Sequence, residues 1–226
     1  MAFKDIDYVR QTYLPGPHML PIKKLSGQPQ TPVLQIDDRI ISGSARILET
    51  LEQLQPSPTL LPNDPLDRKS VLLWQEIFDA ELGPAVRTIL FEQLIDQGSY
   101  LVQMFGREKP RLSRWAYRAI YPIAKPLIAK SNGVTDPANI DHAKRIVTET
   151  LDEINAQIVT TGYLVGKQFT LADLTAAALI APIAGVDHVD MARPQPMPPG
   201  VAQLIANYAD HPAIRWVQEI YNRHRK

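Results

Sequence analysis

Four short stretches carry side chains whose types and spacing suit chemistry or ligand contact. Thr170-Leu171-Ala172-Asp173 sets a hydroxyl and a carboxylate three residues apart. At a helix start this is a capping box. The Thr170 hydroxyl accepts from the N–H three residues on, and the Asp173 carboxylate reaches back to the Thr170 N–H, with Phe169 and Leu174 as the hydrophobic staple. General base or metal ligand is the competing use of Asp173, but every residue of the stretch already has a capping role. Thr31-Pro32-Val33 puts a proline in an extended segment. It is either an ordinary edge proline or a cis X–Pro bond, and a cis-Pro edge leaves the next residue's N–H and C=O free for an extended ligand backbone. Ser42-Gly43-Ser44 combines hydroxyls with the exposed N–H groups of a helix start, a seat for a carboxylate, although most such serines only cap their helix. Asp187-His188-Val189-Asp190 has ligand-like types, but no second histidine or acid cluster stands at recognisable metal spacing, so no metal site is expected.

Composition narrows the chemistry further. The 226 residues contain no cysteine, which excludes disulfides, thiolate zinc sites, iron–sulfur clusters and a cysteine nucleophile within this sequence. Basic and acidic side chains balance at 24 each, so no general attraction to nucleic acid is expected. Gly-rich phosphate loops and nucleophile elbows are absent. The start, Met1-Ala2-Phe3-Lys4-Asp5, has no apolar signal region, and the nearly apolar run 174–186 is shorter than a membrane span, so a cytoplasmic protein is expected.

Proline sets the elements that must position these groups, at 20 residues about twice the usual ~5%. Over the first 40 residues or so its density argues against helices, leaving short extended pieces. Ile6 to Leu14 reads as one strand and 31–36 as another, with a tight turn at Asp37-Asp38-Arg39. Ser42 or Ser44 then opens a helix with apolar Ile47, Leu48, Leu51 and Leu54. The stretch 55–65 holds four prolines and reads as a linker. Beyond it the apolar period is about 3.6. Val71, Trp74, Phe78, Leu82, Ala85 and Ile89 form one stripe, which Gly83-Pro84 should kink. Val147, Leu151, Ile154 and Ile158 mark another helix, and 171–183 is apolar nearly all round, as a buried central helix is. Segments 202–208 and 213–221 complete the set, with 187–200 irregular. The fold class is therefore α+β: a small mixed piece over 1–55, a Pro-rich linker, and an all-helical domain over 66–226.

In this order the motifs resemble a known family. Pro32-Val33-Leu34, a turn and Ile41-Ser42-Gly43-Ser44-Ala45-Arg46-Ile47-Leu48-Glu49 are similar to the second half of the thioredoxin-like domain of cytosolic glutathione S-transferases. Leu60-Leu61-Pro62-Asn63-Asp64-Pro65 resembles that family's inter-domain segment. Phe169 to Asp173 resembles the opening of the core helix of its all-α domain, and Lys4-Asp5-Ile6-Asp7-Tyr8 the passage from its first helix to its second strand. The resemblance implies a partial thioredoxin-like domain, lacking the first strand and most of the first helix. The family's thiol-activating Tyr, Ser or Cys lies in that part, so the catalytic residue is unknown, and neither Tyr8 nor Tyr13 aligns with it.

The resemblance also implies site residues. Val33 would pair its backbone with the cysteinyl part of glutathione beside Pro32, and Ser44 would hold the γ-glutamyl carboxylate. Gln30 and His18 would lie near the glycyl end, although a solvated loop histidine accounts equally for His18. Gly43 replaces the family's acid or amide, which weakens the expected grip on the γ-glutamyl ammonium. Tyr117 and Tyr121, near Trp115, and Arg87 are the candidates for a second-substrate pocket. The implied function is conjugation of glutathione, as substrate, to an apolar small-molecule electrophile by a homodimer. The alternative is a non-catalytic binding or assembly module on the same fold. Between Arg107 and Lys130 seven basic residues face the single acid Glu108. The expectation is a solvated face with snorkelling stems, not membrane contact.

Overall fold

The computed structural model describes residues 1–225. After a single 3₁₀ turn (Ala2–Lys4) the chain runs without regular structure to residue 14. The strand expected over Ile6–Leu14 is not formed. Among the described residues the only sheet is the two-stranded hairpin β1 (Val33–Ile36) and β2 (Arg39–Ser42), so this run has no ladder partner. A lone extended segment without one is not a strand. Helix formation in the Pro-rich start is the second correction. Helix α1 spans Met19–Ser26 despite Pro21, which sits in the first turn where a missing N–H costs no helix bond.

The β1–β2 hairpin pairs Ile36 with Arg39 and Val33 with Ser42 across the turn Asp37-Asp38, with Asp37 at φ +50°. Asp tolerates that left-handed turn position better than most residues. Helix α2 (Ser44–Leu54) follows at once, its cap Gly43 held at φ +90°. The segment 55–64 has linker composition but is tied down at both ends. Leu60 and Leu61 are buried in the helical core, and the Leu60 carbonyl accepts the Leu171 N–H at 2.8 Å. The Lys4 ammonium reaches the Gln55 and Pro58 carbonyls (2.7 and 2.9 Å) and Glu52 (2.7 Å).

Aspartate–proline pairs start two of the long helices. Asp64 caps α3 (Pro65–Ile77) by accepting the Leu66 and Asp67 N–H groups, both at 2.9 Å. Between α3 and α4 (Gly83–Leu94) the expected kink takes the form of a π-helical turn, Phe78–Leu82, closed by the Gly83 N–H on the Phe78 carbonyl. Pro84 lacks an N–H for a regular continuation, and the wider turn absorbs the break. Helices α5 (Gly98–Phe105) and α6 (Arg111–Ser131) form an outer pair, and Asp136 caps α7 (Pro137–Ile158). Helix α8 (Leu171–Ile180) is the buried centre, packed against α3 and against α10 (Pro212–His224). The irregular stretch from 187 contains a 3₁₀ turn (Val189–Met191) and a cis Gln195–Pro196 bond before α9 (Pro199–Tyr208).

Asp173 organises the entry to α8. It is fully buried, and its carboxylate accepts the Leu164 N–H, the Thr170 N–H and the Thr170 hydroxyl, each at 2.8 Å. The capping box closes, and its acid also pins the loop before it. Burial pushes the Asp173 carboxyl above the usual range, against the opposing pull of those three donors.

Candidate functional site

Between the two lobes lies a cavity, open to solvent, of about 1630 Å³, beyond the ~300–1,000 Å³ usual for one small-molecule site. Its small-lobe wall is β1, the run 6–13, and Ile22 and Leu25 of α1. Its helical-lobe wall is Leu90, Met104, Phe105, Pro182 and Met191. The helical-lobe side thus combines these apolar side chains with the charged Arg107, Glu108, Asp190 and Arg193.

The peptide bond Thr31–Pro32 is cis, which selects one of the two geometries open to that proline. The Pro32 carbonyl accepts the Gly43 N–H at 3.3 Å. Peptide groups alternate in direction along an antiparallel strand. Residues 32, 34 and 36 therefore face β2, and the N–H and C=O of Val33 and Gln35 point to the other edge, where the described residues supply no strand. That edge lines the cavity.

Around it the structure places the other sequence candidates unevenly. His18 lines the cavity just before α1 and accepts the Gly16 N–H on Nδ1 at 3.1 Å. Gln30 lies on the far side of Pro32, in a smaller recess of about 310 Å³ shared with Gln28, Ser42 and Gly43. Ser44, at the first turn of α2, lines neither the cavity nor the smaller recess, and donates its hydroxyl to Asp79 Oδ2 at 3.1 Å. Tyr117, Tyr121 and Arg87 are not brought to the cavity. The tyrosines point from α6 into a second apolar cluster with Leu94 and Leu101, where the Tyr121 hydroxyl donates to the Ile95 carbonyl at 2.6 Å. Burial, with Tyr117 and Asp96 nearby, pushes the Tyr121 phenol up to about 12. They are core aromatics of a helix face, as amphipathic spacing alone would have it. Arg87 is exposed on α4 and does not line the cavity.

Two features escaped sequence reasoning. Asp79 sits 35 residues from Ser44, on the π-helical turn, and no local signal joins the two. It sets an acid beside the α2 N-terminus, where the positive φ of Gly43 leaves the cap position itself to glycine. The second is a network fastening the unpaired run 6–13. Arg10 pairs with Asp190 (2.6 Å) and Glu108 (3.2 Å), and Thr12 donates to Glu108 (3.0 Å). Arg225 reaches Asp190 from the other side at 2.5 Å, and the Lys109 ammonium donates to the Thr12 carbonyl. Burial works against ionisation of Asp190, but the two guanidinium groups outweigh it and hold the carboxyl below the usual range. His188 caps the adjoining turn, its Nδ1 accepting the Asp190 N–H at 3.1 Å. His188 and Asp190 are thus both engaged in contacts that hold the fold.

Comparison with known proteins agrees with this architecture. Residues 1–59 match the family model described as "Glutathione S-transferase, N-terminal domain", and residues 119–223 match "Glutathione S-transferase, C-terminal domain". The chain is 24% identical over 162 residues to tetrachloro-p-hydroquinone reductive dehalogenase of Sphingobium chlorophenolicum, covering 71% of this chain and 64% of that protein. It is 32% identical over 89 residues to glutathione S-transferase U4 of Arabidopsis thaliana, covering 37% and 39%. The chain thus spans less than two thirds of the length of the curated relatives it matches. Among solved structures it resembles the beta-etherase LigF of Sphingobium sp. strain SYK-6, with a TM-score of 0.55, 22% identity, and 89% and 83% of the two chains covered. The small lobe is a thioredoxin-like domain with a short sheet, the large lobe the helical domain that accompanies it. By both lobes and their order, the chain belongs to the glutathione S-transferase-like family.

Proposed function

We propose that the protein binds glutathione along the free edge of β1 and transfers the bound thiol to an apolar electrophile held against the helical lobe. The observation that carries this reading is the unpaired peptide of Val33. By the register of the hairpin it faces away from β2, and Val33 lines the cavity at the seam of the lobes. An extended peptide ligand satisfies such an edge by adding to it as a strand does. Ser44 and the α2 N-terminus supply hydroxyl and N–H donors for a carboxylate. Asp79, at hydrogen-bond distance from Ser44, supplies the acceptor for an ammonium group that Gly43 lacks. Leu90, Met104, Phe105 and Met191 form the apolar wall for the second substrate. The curated relatives named above include a dehalogenase and a transferase. The thiol-activating group is not assigned, and a cytoplasmic homodimer is proposed on family grounds alone.

Melting of the purified protein in increasing glutathione tests the reading. A ligand that binds only the folded state adds about 2.7 kcal/mol at a hundredfold excess over Kd, which for a chain of this size raises Tm by roughly 5–10 °C. Ser44→Ala and Asp79→Asn should each reduce the shift at fixed glutathione. No shift at millimolar glutathione overturns the proposal. A shift without turnover of a chromogenic electrophile assigns the chain to the binding-module alternative.

A further inference from the structure

Helix α6 has two apolar faces and only one of them is covered. Tyr117, Tyr121 and Ile128 point into the protein. Leu112, Trp115, Ile123 and Leu127 are 76%, 70%, 81% and 63% exposed. At 3.6 residues per turn these four fall within a sector of about 120° directly opposite the buried tyrosines. Arg111, Arg114, Arg118 and Lys125 line one flank of that sector. Lys125 pairs with Asp96, whereas Arg111, Arg114 and Arg118 have no ion-pair partner among the described residues. From 109 to 135 the sequence holds six basic residues and no acid. A solvated face explains the cations but not four large apolar side chains left in water on the side away from the core.

We propose that this outer face of α6 docks the protein on a bilayer surface containing anionic lipids. The geometry is that of an interfacial helix. The apolar sector enters the boundary between headgroups and acyl chains, Trp115 sits at the headgroup level, and the arginine flank meets lipid phosphates with its stems along the apolar surface. Charge selects this occupant over a second copy of the chain. An isologous contact through the same face would bring together two sets of cations, and the helix carries no acid to balance them. The sequence shows the charges, and the fold adds that an apolar sector beside them is turned outward. The inference stands apart from the glutathione reading.

Flotation of the full chain with vesicles decides it. Vesicles of phosphatidylcholine are compared with vesicles in which about a third of the lipid is phosphatidylserine. Partitioning should be at least ~10-fold stronger on the anionic vesicles and should weaken with salt as charges are screened. Brominated lipid should quench a component of the tryptophan emission that Trp115→Phe removes. Replacing Arg111, Arg114 and Arg118 together by Gln should weaken partitioning by roughly 100-fold. Ile123→Glu with Leu127→Glu should abolish it at an unchanged melting temperature, because both side chains are exposed. Absence of binding, equal binding to both vesicles, or binding unaffected by these variants overturns the proposal. So does a concentration-dependent dimer that the Ile123→Glu, Leu127→Glu variant dissolves, which would make the face a self-association surface.

Discussion

Asp173→Ala should be among the costliest single substitutions in this chain. In the folded protein the carboxylate is fully buried and is the acceptor for two backbone N–H groups, those of Leu164 and Thr170, and for the Thr170 hydroxyl. Alanine leaves both N–H groups without a partner where water does not reach. At ~1–3 kcal/mol for each stranded donor the loss is ~2–6 kcal/mol, set against a total stability of order 5–15 kcal/mol. Asparagine separates the contributions. Its carbonyl oxygen can keep one N–H while its amide turns a donor toward the other, so one donor is stranded and the cost is ~1–3 kcal/mol. Urea unfolding monitored by circular dichroism reads the difference as a shift in midpoint at constant slope. The sign of the pH dependence gives a second check. Burial raises the Asp173 pKa in the fold above its unfolded value. The stability this group contributes is therefore fully present below the unfolded pKa and is lost as pH rises through the folded one. The advantage of wild type over Asp173→Asn should narrow as pH is raised through that window. An alanine variant within ~1 kcal/mol of wild type, below the cost of even one stranded donor, would refute the view that Asp173 is there to satisfy buried backbone.

Three further outcomes are expected. Lys4→Met should cost ~3–5 kcal/mol by thermal or urea melting, since the ammonium is 2% exposed and its loss leaves Glu52 and two carbonyls without their cation. Asp190→Asn should loosen the run 6–13, read as faster amide exchange there. Because Arg10 is half exposed the stability cost should stay near ~1 kcal/mol. Asp190 has a lowered pKa in the fold, so its contribution is present above the unfolded pKa and is lost as pH falls through the folded one, a dependence the variant should lack. Gly98→Ala should cost ~1–3 kcal/mol by urea midpoint, because the new methyl would stand 2.7 Å from the Tyr121 ring.

What the sequence made legible was whatever depends on residues close in the chain. The capping box at Thr170 and Asp173, the turn at Asp37-Asp38, the helix starting at Ser44 and the break at Gly83-Pro84 are each decided within a few residues, and all are in the structure. What was not legible depends on pairing at a distance. The strand read into 6–14 had the right residues but no neighbour to bond. Pro21 counted against a helix that begins only two residues before it, where proline is harmless. Tyr117 and Tyr121 were candidates for a pocket because they are aromatic and near one another, but which side of α6 faces the core is set by α5 and α9. Asp79 could not be found at all without the fold.

The cavity owes its character to the same division. Secondary structure supports the helical-lobe wall, whereas the run 6–13 is held by the Ile6 N–H on the Met1 carbonyl and by side chains: Arg10 and Thr12 on Glu108, Arg10 on Asp190, and Lys109 on the Thr12 carbonyl. Most of these contacts are exposed or half exposed, where an ion pair is worth ~0–1 kcal/mol. Opening this wall therefore requires far less free energy than opening the wall formed by the buried helices, and local opening is expected there first. The run 6–13 and the free edge of β1 line the same cavity, so local opening of the least regular segment of the small lobe should change the exposure of Val33.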